Sequence, residues 1–264
     1  MALEKESYQK LLSSSRKIPR VSIITCTGGR PEAFSLLEKY ISNQTFKDFE
    51  WIVIDDVHPS TKCTKGQKYF RGPELWSPDN NTQRVNLNLA LEKVTGDFIF
   101  IIEDDDYYAP TYLQQMLNAF TNSSIVGLSN ARYYRVNMPG YAILRNYQHA
   151  SLSQTAISKT LLPMLKRAVN SGQFYIDIEL WKKCREEQVP MTLIGNTNLS
   201  IGIKGMPGRE GLTPPHKENN GFFYDAGHKV LSSWIGSAAQ NYVPYLKKSV
   251  ARSNNITYPD TGRI

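Results

Sequence analysis

The most constraining feature of this chain is a set of three short apolar runs, each followed by polar residues. The runs span Val21 to Cys26, Trp51 to Ile54 and Phe98 to Ile102. Each is rich in β-branched or aromatic residues, and stretches with helical spacing of apolar residues separate them. Short buried strands that alternate with helices form a mostly parallel sheet with helices on both faces. The first half of the sequence therefore predicts an α/β fold.

The remaining elements are predicted from the same periodicities. In the first half we expect helices at 31–44, 85–94 and 110–120, and a strand at 125–128. In the second half we expect short strands or a loop at 131–149, helices at 158–169, 177–187 and 224–235, and a hairpin at 191–203. The pattern predicts a single domain whose second half is less regular than the first.

Polar residues lie at the ends of all three apolar runs. Thr25 and Thr27 end the first run, Asp55 and Asp56 follow the second, and the acidic run 103–106 follows the third. The carboxyl ends of parallel strands meet at one edge of a sheet, and α/β proteins bind their ligands at that edge. The three strand ends therefore predict one shared site.

The acidic run consists of Glu103, Asp104, Asp105 and Asp106. Four adjacent carboxylates repel one another unless a cation or protons relieve the repulsion. Mg²⁺ and Mn²⁺ bind carboxylate oxygens, commonly together with substrate phosphates. A solvated acidic turn is the alternative. The apolar strand directly before the run favours a metal site, because it fixes the carboxylates on a rigid element.

Three segments that carry these strand ends resemble family 2-like glycosyltransferases with the GT-A fold. They read VSIITCTGGRPEAF, EWIVIDD and NLNLALEKVTGDFIFIIEDDDYYAP, and the resemblance covers about residues 20–130. It implies a nucleotide-sugar-binding subdomain at 20–130 and an acceptor-binding and catalytic subdomain at 131–264, after an N-terminal extension at 1–19. It also implies a metal-dependent, inverting sugar transfer with a UDP-sugar as the expected donor and Mn²⁺ or Mg²⁺ as the cofactor.

The resemblance also implies roles for individual residues. In the family the first loop lines the base and diphosphate, an acid after the second strand contacts the nucleobase, and an acidic motif contacts the ribose and the metal. The corresponding donor-binding residues are Thr25, Thr27, Arg30, Asp55 or Asp56, Asn88 and, for the ribose, Asp104. The expected metal ligands are Asp105 or Asp106, with His216 as a further ligand from the second half.

A second acidic segment precedes a predicted helix. An inverting transfer needs one carboxylate that takes the proton of the acceptor hydroxyl. Asp177 lies where the family places this base, and Glu179 is the alternative. Acidic residues in a first helical turn also stabilise the helix dipole, which is a purely structural explanation for both.

The charge distribution is the main clue to the acceptor. The chain has a formal net charge of +7, which favours polyanionic partners such as nucleic acid, anionic lipid or phosphorylated substrates. Residues 107–176 contain no Asp or Glu. Arginine and tyrosine alternate there as in proteins that hold single-stranded or extruded nucleotides. The candidate acceptor-binding residues are Arg132, Tyr133, Tyr134, Arg135 and Arg145. A tyrosine-rich core hairpin with a basic rim is the alternative.

These observations favour a hydroxymethylated base in bacteriophage DNA as the acceptor. One alternative is a glycosyltransferase that acts on surface polysaccharide or on a lipid-linked sugar. Another is a catalytically inactive nucleic-acid-binding module with the same fold. The three cysteines form no CxxC pair, and the sequence contains neither a signal-peptide run nor an apolar stretch of membrane-spanning length. We therefore expect a cytoplasmic protein, in the host cytoplasm if a phage encodes it.

Overall fold

A computed structural model describes residues 21–77, 79–195, 198–208 and 222–246. The predicted N-terminal extension and the predicted metal ligand His216 lie outside the described residues. Among the described helices, none has both the length and the apolar character needed to cross a bilayer.

Strands and helices alternate through the first half, as predicted. The strands are β1 (Val21–Thr27), β2 (Phe49–Asp55), β3 (Lys68–Arg71), β4 (Phe98–Ile101), β5 (Tyr107–Tyr108), β6 (Ile125–Ser129), β7 (Ala131–Arg135), β8 (Gly140–Leu144), β9 (Thr155–Ser158), β10 (Met191–Gly195), β11 (Ser200–Lys204) and β12 (Phe223–Tyr224). The helices are α1 (Pro31–Ser42), α2 (Gln83–Lys93), α3 (Tyr112–Asn118), α4 (Leu162–Val169), α5 (Ile176–Glu186) and α6 (Lys229–Ile235).

Seven strands form the main sheet in the order β10-β6-β9-β4-β1-β2-β3. All neighbouring pairs are parallel except those of β9, which is antiparallel to both β4 and β6. The predicted mostly parallel α/β fold is therefore confirmed. Because β9 and β10 belong to this sheet, it crosses the subdomain boundary that the sequence predicts at residue 130.

Both faces of the main sheet are covered by helices. Consecutive residues of β1 point to opposite faces, so Ile23 packs into one buried cluster and Ile24 into the other. The first cluster includes apolar side chains of α1, α3 and α6, and the second includes those of α2, α4 and α5. Trp181 of α5 is fully buried in the second cluster, which anchors the helix that carries Asp177.

A second sheet of five strands lies beside the main one, in the order β12-β8-β7-β11-β5. Its strand β5 begins at Tyr107, directly after the acidic run, and only Ile102 separates the end of the main-sheet strand β4 from the run. The acidic run is therefore the link between the two sheets. Both ends of this link are held by strand pairing, which fixes the position of its carboxylates.

The predicted hairpin at 191–203 is wrong. β10 pairs in parallel with β6 in the main sheet, whereas β11 pairs with β7 and β5 in the second sheet. Two apolar runs separated by a few residues are typical of a hairpin, but each run here pairs with strands from earlier in the chain. This arrangement carries Lys204, at the end of β11, to the acidic run.

Candidate active site

Three carboxylates of the acidic run converge. One oxygen each from Glu103, Asp105 and Asp106 lies within 4.8 Å of the other two. Carboxylate oxygens are the donors that Mg²⁺ and Mn²⁺ prefer, so this set fits one divalent cation of that class. Asp105 and Asp106, the two alternatives given by the sequence, lie in the same set, and Glu103 joins them.

Asp104 points away from this set and contacts the loop after β1. Thr27 Oγ1 donates a 2.6 Å hydrogen bond to Asp104 Oδ2, and Arg30 Nη1 is 2.9 Å from Asp104 Oδ1. The same guanidinium is 3.0 Å from Asp105 Oδ2. Three predicted donor-binding residues, Thr27, Arg30 and Asp104, therefore lie in direct contact, and Arg30 connects them to the metal-binding set.

The charge on Arg30 is stabilised by this arrangement. Burial opposes the charged guanidinium, but the carboxylates of Asp104, Asp105 and Glu103 outweigh it and raise the pKa of Arg30. The loop that holds Arg30 is also covered from the second sheet. A side chain at Gly208 would collide with the Gly29 carbonyl and with Arg30, so only glycine lets the segment after β11 approach this closely.

Asp106 is buried and hydrogen-bonded. Ser153 Oγ donates to Asp106 Oδ2 at 2.9 Å, and the backbone N–H of Ile203 donates to Oδ1 at 3.1 Å. Burial nevertheless raises the pKa of Asp106, with Lys204 opposing that shift. Burial likewise raises the pKa of Glu103, again against Lys204. Full ionisation of Glu103 and Asp106 is therefore unfavourable without a bound cation, and this favours the binding of positive charge.

Lys204 is a site residue that the sequence analysis missed. Its Nζ atom lies 3.6 Å from Asp106 Oδ1, 3.8 Å from Asp105 Oδ2 and 4.0 Å from Glu103 Oε2. Its place in the site depends on the pairing of β11 with β7 and β5, more than 60 residues earlier in the chain. No local motif marks it, so only the sheet topology could have identified it.

The two acids after β2 are fully buried and have different partners. Asp55 Oδ2 accepts hydrogen bonds from the Thr61 N–H at 2.7 Å and the Tyr69 hydroxyl at 2.9 Å, and Arg71 is 3.1 Å away. Asp55 therefore holds the loop after β2 against β3. Asp56 accepts hydrogen bonds from Thr82 Oγ1 and from Asn86 Nδ2.

Asp56 lies closer to the first loop than Asp55 does. A side chain at Gly28 would collide with Asp56 Oδ1, which shows that the loop backbone packs on this carboxylate. Thr25, one strand position before Cys26, is buried and accepts a 3.0 Å hydrogen bond from Trp51 Nε1. Of the two acids, Asp56 is therefore the one against which the first loop packs most closely, and Thr25 orients a core tryptophan.

Asn88 is not among the residues that the structure brings together at the strand ends. Its amide exchanges two hydrogen bonds, of 2.8 and 3.1 Å, with the amide of Asn170, just after α4. Asn86, two positions earlier on α2, takes the contact with Asp56 instead. The helical period explains the difference, because residues two apart point to different sides of a helix.

Asp177 and Glu179 both lie in the first turn of α5. Glu179 is 3.0 Å from Lys183 one turn later, an ordinary ion pair within a helix. Asp177 is partly buried; burial raises its pKa, and hydrogen bonding to backbone N–H groups and the nearby His149 oppose the shift. Of the two predicted catalytic acids, Asp177 has the environment of a general base whose pKa is moved toward neutrality.

One short segment connects the surroundings of Asp177 with the acidic run. His149 opposes the rise in the pKa of Asp177, and Ser153 Oγ donates a hydrogen bond to Asp106 Oδ2. The candidate base and the candidate metal site therefore both lie beside the segment 149–153, which precedes β9.

The residues predicted to bind the acceptor separate into buried and exposed groups. Tyr134 is fully buried, with its hydroxyl 3.1 Å from His228 Nδ1, so it belongs to the core and presents no surface to an acceptor. Arg132 is hydrogen-bonded to Asn198 and lies 5.2 Å from the centroid of the Trp234 ring, which makes its role structural.

The other three predicted acceptor residues lie nearer the surface. Arg135 stacks 4.6 Å from the Phe222 ring, and Lys204 Nζ lies 5.9 Å from the Tyr133 ring. Arg145 is exposed. These contacts leave Arg145 as the predicted acceptor residue that is most accessible to a polyanion.

Exposed aromatic rings precede Asp177 in the chain, and the sequence analysis did not identify these rings as part of the site. Phe174 and Tyr175 form an edge-to-face pair with centroids 4.6 Å apart, and they are 62% and 52% exposed. Tyr147, two residues before His149, is 69% exposed. Large exposed rings close to a candidate base provide flat surfaces on which an acceptor ring can stack.

The two-sheet α/β architecture, with an acidic run at the ends of parallel strands, defines a GT-A-like protein. Residues 22–167, more than half of the chain, match the family described as Glycosyl transferase family 2. The chain belongs to this family, and the family that the sequence resembles is confirmed.

The proteins to which this chain is similar include two curated relatives. It is 22% identical over 171 residues to the uncharacterized glycosyltransferase YwdF of Bacillus subtilis (strain 168), covering 61% of this chain and 63% of the relative. It is 32% identical over 98 residues to a GalNAc(5)-diNAcBac-PP-undecaprenol beta-1,3-glucosyltransferase of Campylobacter jejuni, covering 34% of this chain and 30% of the relative. The chain thus spans less than two thirds of the length of either relative.

The crystal structure of residues 1–349 of S. aureus TarS superposes with a TM-score of 0.50 and 16% identity. The match covers 70% of this chain and 60% of that one. At this identity the similarity supports the shared fold alone.

Proposed function

We propose that this protein is a metal-dependent, inverting glycosyltransferase that moves a sugar from a nucleotide-sugar donor, a UDP-sugar in the first instance, to a hydroxyl acceptor. The observation that carries the proposal is the convergence of Glu103, Asp105 and Asp106 beside Arg30 at the strand ends of a family 2 chain. When bound, Mn²⁺ or Mg²⁺ supplies Lewis-acid stabilisation of the leaving diphosphate.

The donor lies across the ends of β1, β2 and β4. In this proposal Asp56 contacts the nucleobase and Asp104 contacts the ribose, with its carboxylate oriented by Thr27. Arg30 is buried and charged, and it can exchange part of its contact with Asp104 for a diphosphate oxygen. Its position between Asp104 and Asp105 supports this role, because the diphosphate must lie between the ribose and the metal.

Asp177 is the proposed general base. The acceptor oxygen attacks the anomeric carbon, its proton passes to the Asp177 carboxylate, and the bond between the anomeric carbon and the diphosphate oxygen breaks. The partly buried position of Asp177 supports this assignment, as does the engagement of Glu179 in an ion pair with Lys183. Glu179 remains the alternative base.

For the acceptor we propose a hydroxymethylated base in DNA, of the kind found in bacteriophage genomes. The acid-free span 107–176 supports it, because a polyanion meets no repelling carboxylate there. The exposed rings of Phe174 and Tyr175 beside Asp177 also support it, because an extruded base stacks on such surfaces. Arg145, Tyr147 and these rings replace Tyr134 and Arg132 in the acceptor surface suggested by the sequence.

A lipid-linked sugar is the second candidate acceptor. The named acceptor substrate of the Campylobacter jejuni relative is of this type, and that relative is 32% identical over the 98 matched residues. A catalytically inactive nucleic-acid-binding protein is the third possibility. Metal-dependent hydrolysis of a nucleotide sugar by the purified protein would contradict the third.

One experiment separates these alternatives. The protein is incubated in Mn²⁺ with UDP-, GDP- and CMP-sugars and with either hydroxymethylated duplex DNA or an undecaprenyl-diphosphate-linked sugar. Mass spectrometry of digested nucleosides or of the extracted lipid then identifies the product. We expect one hexose or pentose added per modified base. Addition to the lipid acceptor alone would overturn the DNA proposal, and neither product nor hydrolysis with any donor would overturn transferase activity.

A further inference from the structure

A lysine faces the carboxylate set that the proposed function assigns to the metal. Lys204 Nζ is between 3.6 and 4.0 Å from one oxygen each of Asp106, Asp105 and Glu103. These are the same three residues whose oxygens lie within 4.8 Å of one another. Lys204 is the last residue of β11 and pairs with Arg135 of β7, which holds the lysine backbone beside the acidic run.

We propose that Lys204 is a built-in counter-ion that competes with the divalent cation for the acidic run. The inference rests on the proposed function, because it presupposes that the cluster takes a metal. Arg30 and Lys204 together set two positive charges against the four carboxylates of residues 103–106. The remaining formal charge of −2 is the charge that a single divalent cation neutralises.

The competition follows from simple electrostatics. A cation that reaches the oxygens of Asp105 and Asp106 comes close to the Lys204 ammonium, and like charges about 4 Å apart inside a protein repel strongly. The Lys204 ammonium is charged at neutral pH, as a lysine side chain ordinarily is. The metal and the ammonium therefore compete for the same oxygens, and the long lysine side chain can move aside.

Two consequences distinguish this role from a structural one. Without metal, Lys204 relieves the repulsion among three closely spaced carboxylates and stabilises the fold. With metal, the same ammonium weakens metal binding. Removal of the charge should therefore lower stability in the absence of metal and raise the affinity for metal, whereas a lysine that only supports the fold would give the first effect without the second.

The test uses Lys204→Met and, as a more conservative variant, Lys204→Gln. Mn²⁺ affinity is measured without donor by isothermal titration calorimetry and by the electron paramagnetic resonance signal of free Mn²⁺. We expect the dissociation constant for Mn²⁺ to fall by roughly tenfold or more. The melting temperature in EDTA should fall in the same variants. Lys204→Arg keeps the charge, and Lys182→Met removes one at an exposed position; both should bind Mn²⁺ within about threefold of the unchanged protein.

Each outcome decides the inference. Mn²⁺ binding that is unchanged or weaker in Lys204→Met and Lys204→Gln would overturn it and leave the metal assignment intact. Binding by the variants but not by the unchanged protein would support it in its strongest form. Binding by none of these proteins would overturn both the inference and the metal-dependent part of the proposed function.

Discussion

Thr27 Oγ1 donates a 2.6 Å hydrogen bond to Asp104 Oδ2, which joins the end of β1 to the acidic run 77 residues later. Arg30 holds the other Asp104 oxygen at 2.9 Å. Asp105 lies between Arg30, at 3.0 Å, and Lys204, at 3.8 Å, and Asp106 faces Lys204 at 3.6 Å. The acidic run therefore has two parts. Thr27 and Arg30 orient the Asp104 carboxylate, whereas Asp105 and Asp106 face the Lys204 ammonium.

This division predicts different effects for neighbouring aspartates. Asp105→Ala should abolish Mn²⁺-dependent binding of the nucleotide sugar and leave the fold intact, because the Asp105 side chain is less buried than that of Asp106. Asp106→Asn should also weaken metal binding, but it should cost about 1–3 kcal/mol of stability as well, because Asp106 accepts buried hydrogen bonds from Ser153 and Ile203. Calorimetric titration and urea unfolding measure the two effects.

Thr27→Val is the matched control for these variants. It removes the hydrogen bond to Asp104 at nearly constant side-chain volume. We expect weaker donor binding with unchanged affinity for Mn²⁺. Normal donor affinity of Asp105→Ala in Mn²⁺ would contradict the assignment of Asp105 to the metal.

Asp177→Asn is expected to slow sugar transfer by roughly 10² to 10⁴ without changing donor affinity, the usual effect of losing a positioned general base. Glu179→Gln is the matched control in the same helical turn, and it should retain activity because it loses only an ion pair with Lys183. Single-turnover rates with a fixed donor concentration measure both. A slow Glu179→Gln with a normal Asp177→Asn would move the base to Glu179.

The pH dependence of transfer follows from the environment of Asp177. Burial raises the pKa of Asp177, and a general base must be deprotonated to act. The rate should therefore fall as the pH decreases through this raised pKa and level off above it. The acidic limb should disappear from the residual activity of Asp177→Asn. An unchanged limb in that variant would show that another group is responsible.

The environment of Glu50 predicts that the fold loses stability at acidic pH. Burial opposes its ionisation, but hydrogen bonds from Lys68, Ser22 and Thr95 outweigh burial and lower its pKa to about 2. Because the folded pKa lies below the unfolded value, the stabilisation is complete above about pH 5 and is lost as the pH falls toward 2. Glu50→Gln should cost about 1–3 kcal/mol at pH 7 and much less near pH 2.

Urea unfolding at several pH values tests this prediction. Asp48→Asn, at an exposed position between α1 and β2, is the control and should change stability by less than about 0.5 kcal/mol at every pH. A stability difference between Glu50→Gln and the unchanged protein that does not shrink at low pH would contradict the electrostatic explanation.

The sequence predicted the three strands that end at the site because their signals are local. The first apolar run is followed by Thr27 and two glycines, and the other two are followed by acidic residues. The observed strands begin and end within one or two positions of these runs. The acidic run was identifiable for the same reason. Its link to β5 and the second sheet was not, because β5 is only two residues long and is defined by pairing with β11.

The residues that were misassigned depend on contacts between distant parts of the chain. Tyr134 and Val136 lie two positions apart on the same buried face at the end of β7, a pattern typical of a half-buried strand. The alternation of tyrosine and arginine is equally typical of a surface that binds nucleotides. The sequence pattern alone therefore did not separate a half-buried strand from such a surface. Which face of β7 is buried depends on how the second sheet packs against α6. The position of Lys204 likewise depends on the pairing of β11 within the second sheet.

The exposed rings beside Asp177 predict where the acceptor stacks. Phe174→Ala should weaken acceptor binding by about 1–3 kcal/mol, the cost of losing one stacked base, and leave donor binding unchanged. Tyr224→Ala is the control, because its ring is exposed to a similar degree but lies on β12 in the second sheet. Fluorescence titration of each variant with acceptor measures the effect. Equal losses in both variants would indicate a broad apolar surface and not a stacking site.

Salt dependence tests whether the acceptor is DNA. Three or four phosphate contacts would give a log–log slope of the binding constant against salt of about −3 to −4 on duplex DNA. Arg145→Ala should reduce the magnitude of that slope by about 1, because its exposed guanidinium can neutralise one phosphate. Arg132→Ala should leave the slope unchanged and lower stability instead, because its guanidinium contacts Asn198 and packs on Trp234. DNA binding that does not depend on salt would contradict this acceptor surface. The same slope after Arg145→Ala together with a smaller slope after Arg132→Ala would also contradict it. The assignment of the donor site would stand, because it rests on the strand ends and the acidic run.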